Sequence, residues 1–371
     1  MKILAVVGAR PNMMKMAPLL EEMRRYPDLE PVLVHTGQHY DRRMSQLFFE
    51  ELGMPEPAYN LGVGSGTHAV QTAQAMQALE PVFIQERPDL VLVVGDVNST
   101  LAASLVAAKL GIRVAHVEAG LRSFDRSMPE EINRIVTDAI ADDLFVTERS
   151  GLENLRREGV AEEKIHFVGN VMIDTLRRHT ERALALGMPA QLGVRPGEYA
   201  VVTLHRPACV DVPEVLAGVV GVLAELQRRL PILFPVHPRT RARLQEAGLA
   251  ATLAAAPGLR LLEPLGYLEF LGLMADARLV LTDSGGIQEE TTALGVPCIT
   301  LRENTERPAT IDEGTNVLAG LDPARIRTAV LAALANRHDG RGRVPELWDG
   351  RAAERIVAIL RRTGASGPRH G

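Results

Sequence analysis

Three carboxylates stand where short apolar runs of the sequence end. Asp96 ends the segment VLVVGD, Glu118 ends VAHVE, and Glu130 begins the helical segment after AGLRSFDRSMP. Three cationic side chains accompany them: Arg10, Lys15 and Arg134. Clustered acids beside cations and an anionic ligand suit proton transfer, since neighbouring charges can hold them in different protonation states. The alternative is that each acid caps the helix after its strand, and the pattern favours proton transfer over capping.

A glycine pair in the second half predicts a phosphate site. In LTDSGGIQEE, Gly285 and Gly286 follow Ser284 and an apolar run, and a helical pattern begins there. Glycine lets a phosphate approach the backbone, and the free N–H groups of a helix N-terminus attract an anion. Glu290, one turn later, is placed to bind ribose hydroxyls, and the Arg-bearing segment LRENTERPAT follows the next strand. The alternative is a tight strand-to-helix turn without a ligand.

Other familiar sites are not supported. Gly64–Ala69 (GSGTHA) nearly matches the dinucleotide fingerprint, but no convincing strand precedes it and no strand-end acid follows about 20 residues later. We interpret it as a mobile glycine loop. P-loop and nucleophile-elbow motifs are missing. The two cysteines, Cys209 and Cys298, form no C-x-x-C, and His35 and His39, the one histidine pair four residues apart, are interpreted as flanking a loop, so we expect no disulfide and no metal site.

The elements that must position these residues alternate between apolar runs and helical segments. The apolar runs are Ile3–Val7, Pro31–His35, Leu90–Val94, Val114–Val117, Leu144–Val146, Ile165–Val168, Ala200–Thr203, Ile232–Val236, Arg260–Leu262, Leu279–Thr282 and Cys298–Leu301. The clearest helical segments are Met16–Tyr26, Thr67–Arg87, Thr100–Leu110, Pro129–Ala141, Val212–Arg229, Gly286–Leu294 and Ala352–Arg362. This alternation predicts an α/β fold with parallel sheets covered on both faces.

The runs are too many for one sheet, and 371 residues suit two domains. We expect two doubly wound, Rossmann-like domains with the Gly- and Pro-rich stretch Gly187–Gly197 as a loop between them. The first domain is expected at 1–169, completed by a C-terminal helix at 352–371, and the second at 170–351. Because open α/β sheets bind ligands at the carboxyl ends of their strands, we expect a ligand site in a cleft between the domains.

Charge and hydropathy exclude several classes of protein. The net charge of −5 argues against a general nucleic-acid binder. No apolar stretch approaches the ~18–20 residues that a membrane span needs. The N-terminal run MKILAVVGARPN is too short for the core of a signal peptide and reads as a first buried strand, so a cytoplasmic protein is expected.

Taken in order, the motifs of residues 1 to about 335 resemble one known family. They are GARPNMMKMAPL, TGQHYD, GDVNSTLAASL, HVEAGLRS, MPEEINR, FVGNVMID, TLHR, PVHPRT, EPLGYLEFL, DSGGIQEE and LRENTERP. This series resembles the non-hydrolysing UDP-N-acetylglucosamine 2-epimerases, which have the GT-B fold of two Rossmann-like domains facing across a cleft. The resemblance implies a homodimeric isomerase that needs no cofactor.

The resemblance also implies roles for residues at the matching positions. Asp96, Glu118 and Glu130 would be the catalytic carboxylates. The diphosphate and the sugar would be surrounded by Arg10, Lys15, Arg134 and His205, of which Lys15 and His205 are also expected to take part in catalysis. Phe270 would lie beside the uracil, and the rest of UDP would be held by Ser284, Gly285, Gly286, Glu290 and Arg307.

Two departures from the family pattern stand out. The family usually has Glu and Asn after His205-Arg206-Pro207, where this chain has Ala208 and Cys209. Tyr40 and Asp41 follow Gln38-His39, where some bacterial members have a Gln in the segment that binds an activating substrate molecule. That form of allosteric control is therefore not expected here.

The implied reaction converts UDP-GlcNAc into UDP-ManNAc reversibly, through elimination of UDP to a glycal, and would supply activated ManNAc for cell-surface polysaccharide. Two other functions on the same fold are less favoured: a retaining glycosyltransferase has little use for three acids, and a silent nucleotide-sugar sensor would be expected to lose one. A diacetamido-uronic acid analogue of the substrate remains open.

Overall fold

A computed structural model describes residues 1–37, 49–335 and 344–364. The chain forms two compact units, one of Met1–Thr175 together with Glu346–Gly371 and the other of Leu176–Pro345. The predicted extension of the last helix beyond residue 364 and the residues Gln38 to Asp41 lie outside the described part of the chain. Each unit has its own parallel sheet.

The first unit contains a seven-stranded parallel sheet in the order β3-β2-β1-β4-β5-β6-β7. Its strands are β1 (Lys2–Val7), β2 (Glu30–His35), β3 (Tyr59–Asn60), β4 (Leu90–Val94), β5 (Arg113–Ala119), β6 (Asp143–Val146) and β7 (Ile165–Phe167). The central strands β1 and β4 are almost wholly buried, as expected for apolar runs covered on both faces.

Helices cover both faces of this sheet. They are α1 (Arg10–Met23), α2 (His68–Glu86), α3 (Asn98–Lys109), α4 (Pro129–Ile140), α5 (Arg149–Arg157) and the start of α6 (Val171–Ala185). The hydroxyl of Thr67 accepts a hydrogen bond from the Val70 N–H and so caps α2. A final helix, α16 (Ala352–Gly364), packs against α1 and completes the apolar core under β1 and β4.

The second unit repeats this topology with six parallel strands in the order β10-β9-β8-β11-β12-β13. The strands are β8 (Ala200–Thr203), β9 (Ile232–Pro235), β10 (Leu259–Leu262), β11 (Leu279–Thr282), β12 (Cys298–Thr300) and β13 (Asn316–Leu318). Its helices are α7 (Met188–Gln191), α8 (Pro207–Val210), α9 (Pro213–Leu226), α10 (Pro238–Glu246), α11 (Ala250–Ala254), α12 (Tyr267–Ala275), α13 (Gly285–Leu294), α14 (Ala309–Asp312) and α15 (Pro323–Ala335).

The strand orders confirm the predicted α/β class with two doubly wound sheets. In each sheet the next two strands are added on one side of the first strand, and the later strands are added on its other side. The strand order therefore reverses between β1 and β4, and likewise between β8 and β11, and such switch points bind ligands in open sheets. The stretch Gly187–Gly197 is not only loop, because it contains the single turn of α7 and lies within the second unit, where α7 packs on α12.

Candidate active site

Hydrogen bonds around Gly95 fix the backbone at the switch point of the first unit. The Asn12 side chain, in the first turn of α1, accepts hydrogen bonds from the N–H groups of Gly8 and Ala9 and donates one of 2.8 Å to the Val94 carbonyl. Gly95 follows with a φ of 67°, in the left-handed region, and its N–H donates to the Val117 carbonyl. The turn that precedes Asp96 is therefore fixed from both sides.

Glu118 lies at an irregularity of β5. The register between β5 and β6 shifts between Val117 and Ala119, and Glu118 has a φ of 76°, which is rare for a residue with a side chain. Such bulges and strained residues re-aim side chains and are frequent beside functional sites. The carboxylate of Glu118 forms an ion pair with the ammonium of Lys15 from α1, and both side chains are buried.

Asp96 and Glu131 are joined by Arg134. The guanidinium of Arg134 pairs with Asp96 and, at 2.7 Å, with Glu131 one turn earlier on α4. Glu131 also accepts hydrogen bonds from the backbone N–H groups of Ser123 and Phe124, and these contacts outweigh burial and lower the pKa of its carboxyl. Glu130, at the second position of α4, is partly exposed.

A buried pair lies beneath these acids. His116 of β5 contacts the Gly95 carbonyl at 2.8 Å and Asp138 of α4 at 2.6 Å, and Asp138 also pairs with Arg122 at 2.7 Å. Asp138 further accepts the N–H of Gly120 at 3.0 Å. The sequence prediction missed this pair because its members are 22 residues apart and nothing in either segment points to the other.

In the second unit His205 follows β8 and is oriented by Asp283, which follows β11. Its Nδ1 lies 2.9 Å from Asp283, which also accepts the backbone N–H groups of His205 and Arg206. Burial would raise the pKa of the Asp283 carboxyl, but these donors outweigh it and lower the pKa. The His205 side chain is 45% exposed, so the rest of its ring can meet a ligand.

The helix α13 begins beside a buried arginine. A Cβ atom added at Gly285 would lie 2.6 Å from Nη1 of Arg307, so the guanidinium rests directly on the first residue of the helix. Arg307 pairs with Glu289 at 2.9 Å and with Glu306, whose pKa is held well below its usual range by Arg307 and Arg302 despite burial. A helix N-terminus next to a guanidinium suits a diphosphate.

Glu290 is buried one turn into α13. Burial raises the pKa of its carboxyl to about 8, the nearby Glu289 adds to this rise, and a hydrogen bond of 3.2 Å from the Tyr267 hydroxyl opposes it. Phe270 lies on the same helix as Tyr267, α12, and is partly buried.

The structure thus places the predicted residues in two groups. At the carboxyl edge of the first sheet, or in the loops and helices that follow its strands, lie Lys15, Asp96, Glu118, Glu130 and Arg134. The corresponding part of the second unit contains His205, Ser284, Gly285, Gly286, Glu290 and Arg307. Arg10 is the first residue of α1. Of the two departures, Cys209 is buried in the core of the second unit, where burial raises the pKa of its thiol to about 12, and Ala208 is exposed.

Besides His116, four acids that position other groups were missed: Glu131, Asp138, Asp283 and Glu306. A signal existed for Asp283, which directly follows an apolar strand as Asp96 does. The other three acids lie within helical or loop segments, where the sequence indicates only a solvent-exposed charge. Among residues 1–37, 49–335 and 344–364, no group of three His, Cys, Asp or Glu side chains is arranged to hold a metal ion. Over the same ranges, no helix has the length and apolar character to cross a membrane.

Comparison with known proteins gives consistent results. Residues 21–361 match the family described as UDP-N-acetylglucosamine 2-epimerase. A UDP-N-acetylglucosamine 2-epimerase of Methanococcus maripaludis is 44% identical over 365 residues, covering 97% of this chain and 98% of the relative. A UDP-2,3-diacetamido-2,3-dideoxy-D-glucuronate 2-epimerase of Pseudomonas aeruginosa is 40% identical, covering 97% of this chain and 99% of the relative.

The solved structures give the same picture. The crystal structure of the Methanocaldococcus jannaschii UDP-GlcNAc 2-epimerase in complex with UDP-GlcNAc and UDP superimposes with a TM-score of 0.91 at 43% identity. The superposition covers 98% of this chain and 100% of the Methanocaldococcus jannaschii chain.

Proposed function

The chain belongs to the UDP-N-acetylglucosamine 2-epimerase family and is an isomerase that acts on UDP-N-acetylglucosamine, and we propose that it inverts C2 by eliminating and re-adding UDP. The single observation that carries this mechanism is the set of carboxylates at the first sheet's edge. Asp96 and Glu118 are each paired with a cation, Arg134 and Lys15, and the backbone that bears them is fixed by hydrogen bonds.

Elimination solves a chemical problem. The proton on C2 is not beside a carbonyl, so abstracting it directly would be very slow. When a carboxylate takes that proton while the C1–O bond to UDP breaks, the electron pair of C2–H becomes a C1=C2 double bond. The neutral glycal then receives a proton on the other face of C2, and the same diphosphate oxygen re-forms the bond to C1. Two faces require more than one acid, which a cluster of carboxylates supplies.

The second unit contains groups suited to bind the leaving UDP, and this supports the proposal. The N-terminus of α13 at Gly285, the guanidinium of Arg307 and the oriented ring of His205 are donors suited to the charge that develops on the diphosphate. We therefore propose the first unit as the catalytic domain and the second as the UDP-binding domain. Arg10 and Lys15 are proposed to lie around the diphosphate and the sugar, and Phe270 beside the uracil.

The isotopic fate of the substrate tests this mechanism. In D2O the product should carry deuterium at C2, because the carboxylate exchanges its proton with solvent. In 18O-labelled water C1 should gain no label, because UDP and not water adds to the glycal. An unexchanged C2 proton in epimerised product would refute the carboxylate mechanism, and free, labelled sugar as the main product would refute the non-hydrolysing assignment.

The acids can be tested one by one. Asp96→Asn, Glu118→Gln and Glu130→Gln should each lower kcat at least ~100-fold while UDP still binds, as expected when a general acid or base is lost. Glu80→Gln, at an exposed acid of α2, is the control and should leave kcat unchanged. An acid variant with normal kcat would remove that residue from the mechanism.

A second substrate is favoured by the Pseudomonas aeruginosa relative, whose name specifies a diacetamido-glucuronate. Comparing kcat/KM for that sugar nucleotide and for UDP-GlcNAc would show whether the chain also accepts it and which of the two it prefers. We also propose, from the family resemblance, that the chain forms a homodimer, works in the cytoplasm and supplies ManNAc units for cell-surface polysaccharide. Sedimentation of the purified protein tests the first of these.

A further inference from the structure

His116 is a buried polar residue that the proposed mechanism does not use. Its side chain is completely inaccessible to solvent, although it lies in the middle of the apolar strand β5. Its ring spans two groups on different elements, with Nε2 2.8 Å from the Gly95 carbonyl oxygen and Nδ1 2.6 Å from Oδ1 of Asp138. Both distances are those of good hydrogen bonds.

The chemistry of these two partners determines where the hydrogens are. A carbonyl oxygen can only accept a hydrogen bond. Asp138 forms an ion pair with the guanidinium of Arg122 at 2.7 Å and accepts the N–H of Gly120 at 3.0 Å, so its carboxyl group is a carboxylate that also only accepts. Both ring nitrogens must then donate, and only the imidazolium form of histidine carries two N–H groups.

The imidazolium holds the backbone beside both strand-end acids. Gly95, whose carbonyl it binds, is directly followed by Asp96. Asp138, its other partner, accepts the N–H of Gly120 at 3.0 Å, two residues beyond the strained bulge at Glu118. Because buried ion pairs add little net stability on average, this pair is better explained by the positions it enforces than by the stability it adds.

We propose that His116 is a positioning residue for epimerisation, an imidazolium that fixes Asp96 and Glu118 relative to each other through Gly95 and Asp138. This inference rests on the proposed catalytic function of those two acids. Misplacing a reacting group by about 1 Å can lower a rate about 100-fold, which is the size of effect that such a residue controls.

Two substitutions separate the two hydrogen bonds. The amide nitrogen of Asn occupies roughly the place of Nδ1, so His116→Asn keeps the bond to Asp138 and loses the one to Gly95. The longer Gln reaches the place of Nε2, so His116→Gln keeps the bond to Gly95 and loses the one to Asp138. Each variant should lower kcat about 10- to 100-fold with little change in KM or in the affinity for UDP.

The matched control is His166→Asn. His166 of β7 also faces an aspartate, Asp143 at 3.3 Å, but Asp143 is the first residue of β6, at the amino end of that strand and away from the acids at the carboxyl edge of the sheet. The kcat of His166→Asn should equal that of the wild type. Should either His116 variant fail to fold, Asp138→Asn provides the second route, because it removes the charge facing Nδ1 at nearly constant size and should lower kcat in the same way.

Nuclear magnetic resonance of the 15N-histidine-labelled wild type gives a readout independent of activity. The His116 ring, assigned by its loss in one variant, should show a proton on both nitrogens. A ring nitrogen without a proton, or unchanged kcat in the folded variants, would overturn the proposal. Asp96→Asn and Glu118→Gln are measured alongside: if they keep full kcat, the catalytic function itself has failed, whereas if only the His116 and Asp138 variants keep it, the positioning inference alone has failed.

Discussion

The ammonium of Lys15 and the carboxylate of Glu118 form an ion pair in which the side chains are only 6% and 2% exposed. Bulk water does not solvate either charge at this depth, so each charged group stabilises the other. Removing one partner of a buried pair typically costs about 3–5 kcal/mol, because the remaining charge is left uncompensated.

Lys15→Met should therefore lower both kcat, by at least ~100-fold, and the free energy of unfolding by roughly 3–5 kcal/mol. Lys109→Met, at the exposed end of α3, should change neither. Steady-state kinetics and urea unfolding of the two variants check this. Equal, small effects for both would show that Lys15 is an ordinary charge.

Gly95→Ala tests how closely Lys15 crosses the turn before Asp96. A Cβ atom there would lie 3.0 Å from Nζ of Lys15, on a backbone with a φ of 67°. Gly111 has a similar φ of 70° but open space around its α-carbon, so Gly111→Ala imposes the same backbone strain of about 1–2 kcal/mol and nothing more. Both variants should lose stability by similar amounts, and Gly95→Ala alone should lose kcat. Equal kcat values would contradict the close approach.

Gly285→Ala tests the proposed diphosphate site. The new methyl group would lie within 2.6 Å of Arg307 and 2.8 Å of Glu306, so the guanidinium must move away from the start of α13. Affinity for UDP, measured by calorimetry, should fall about tenfold, which corresponds to ~1.4 kcal/mol of binding free energy. Gly221→Ala, in the interior of α9 with no atom nearby, should bind UDP normally and stabilise the protein by up to about 1 kcal/mol. Unchanged affinity in Gly285→Ala would place the diphosphate elsewhere.

Glu290→Gln should change how stability depends on pH. The carboxyl of Glu290 has its ordinary pKa of 4.5 in the unfolded chain and a pKa of about 8 in the folded protein. Between these values the folded state keeps a proton that the unfolded state has lost, so the free energy of unfolding of the wild type falls as pH rises from 4.5 to 8. The variant lacks this loss and should gain roughly 3–5 kcal/mol over the wild type across that range.

Urea unfolding at pH 5 and pH 8 measures that difference, with Glu80→Gln as the exposed control that should show none. A constant difference between Glu290→Gln and the wild type at the two pH values would mean that Glu290 is already ionised in the folded protein.

The apolar pattern predicted the central strands well and missed one edge strand of each sheet. Leu90–Val94 and Leu279–Thr282 are strands with the predicted bounds, because burial on both faces leaves a continuous apolar run. The edge strands Tyr59–Asn60 and Asn316–Leu318 were not predicted, since two or three partly polar residues carry no periodicity and depend on a neighbouring strand to be ordered.

The candidate site, too, could be predicted only in part. That Asp96 and Glu118 share a sheet edge follows from their positions after adjacent strands, and it could be predicted. The bulge at Glu118, the pair it forms with Lys15 and the ring of His116 between Gly95 and Asp138 could not, because each is a contact between distant segments that only the folded chain brings together. The proposed role of each acid stays a prediction.

The placement of α16 has a consequence for synthesis. Ala352, Ile356 and Leu360 pack in the same core as Ile3 and Leu92, although the whole second unit lies between them in the chain. A nascent chain that has left the ribosome only as far as Thr175 still exposes the apolar surface that α16 covers. The second unit can fold during translation, whereas the unit with the carboxylates reaches its final packing only after both the second unit and α16 have been made.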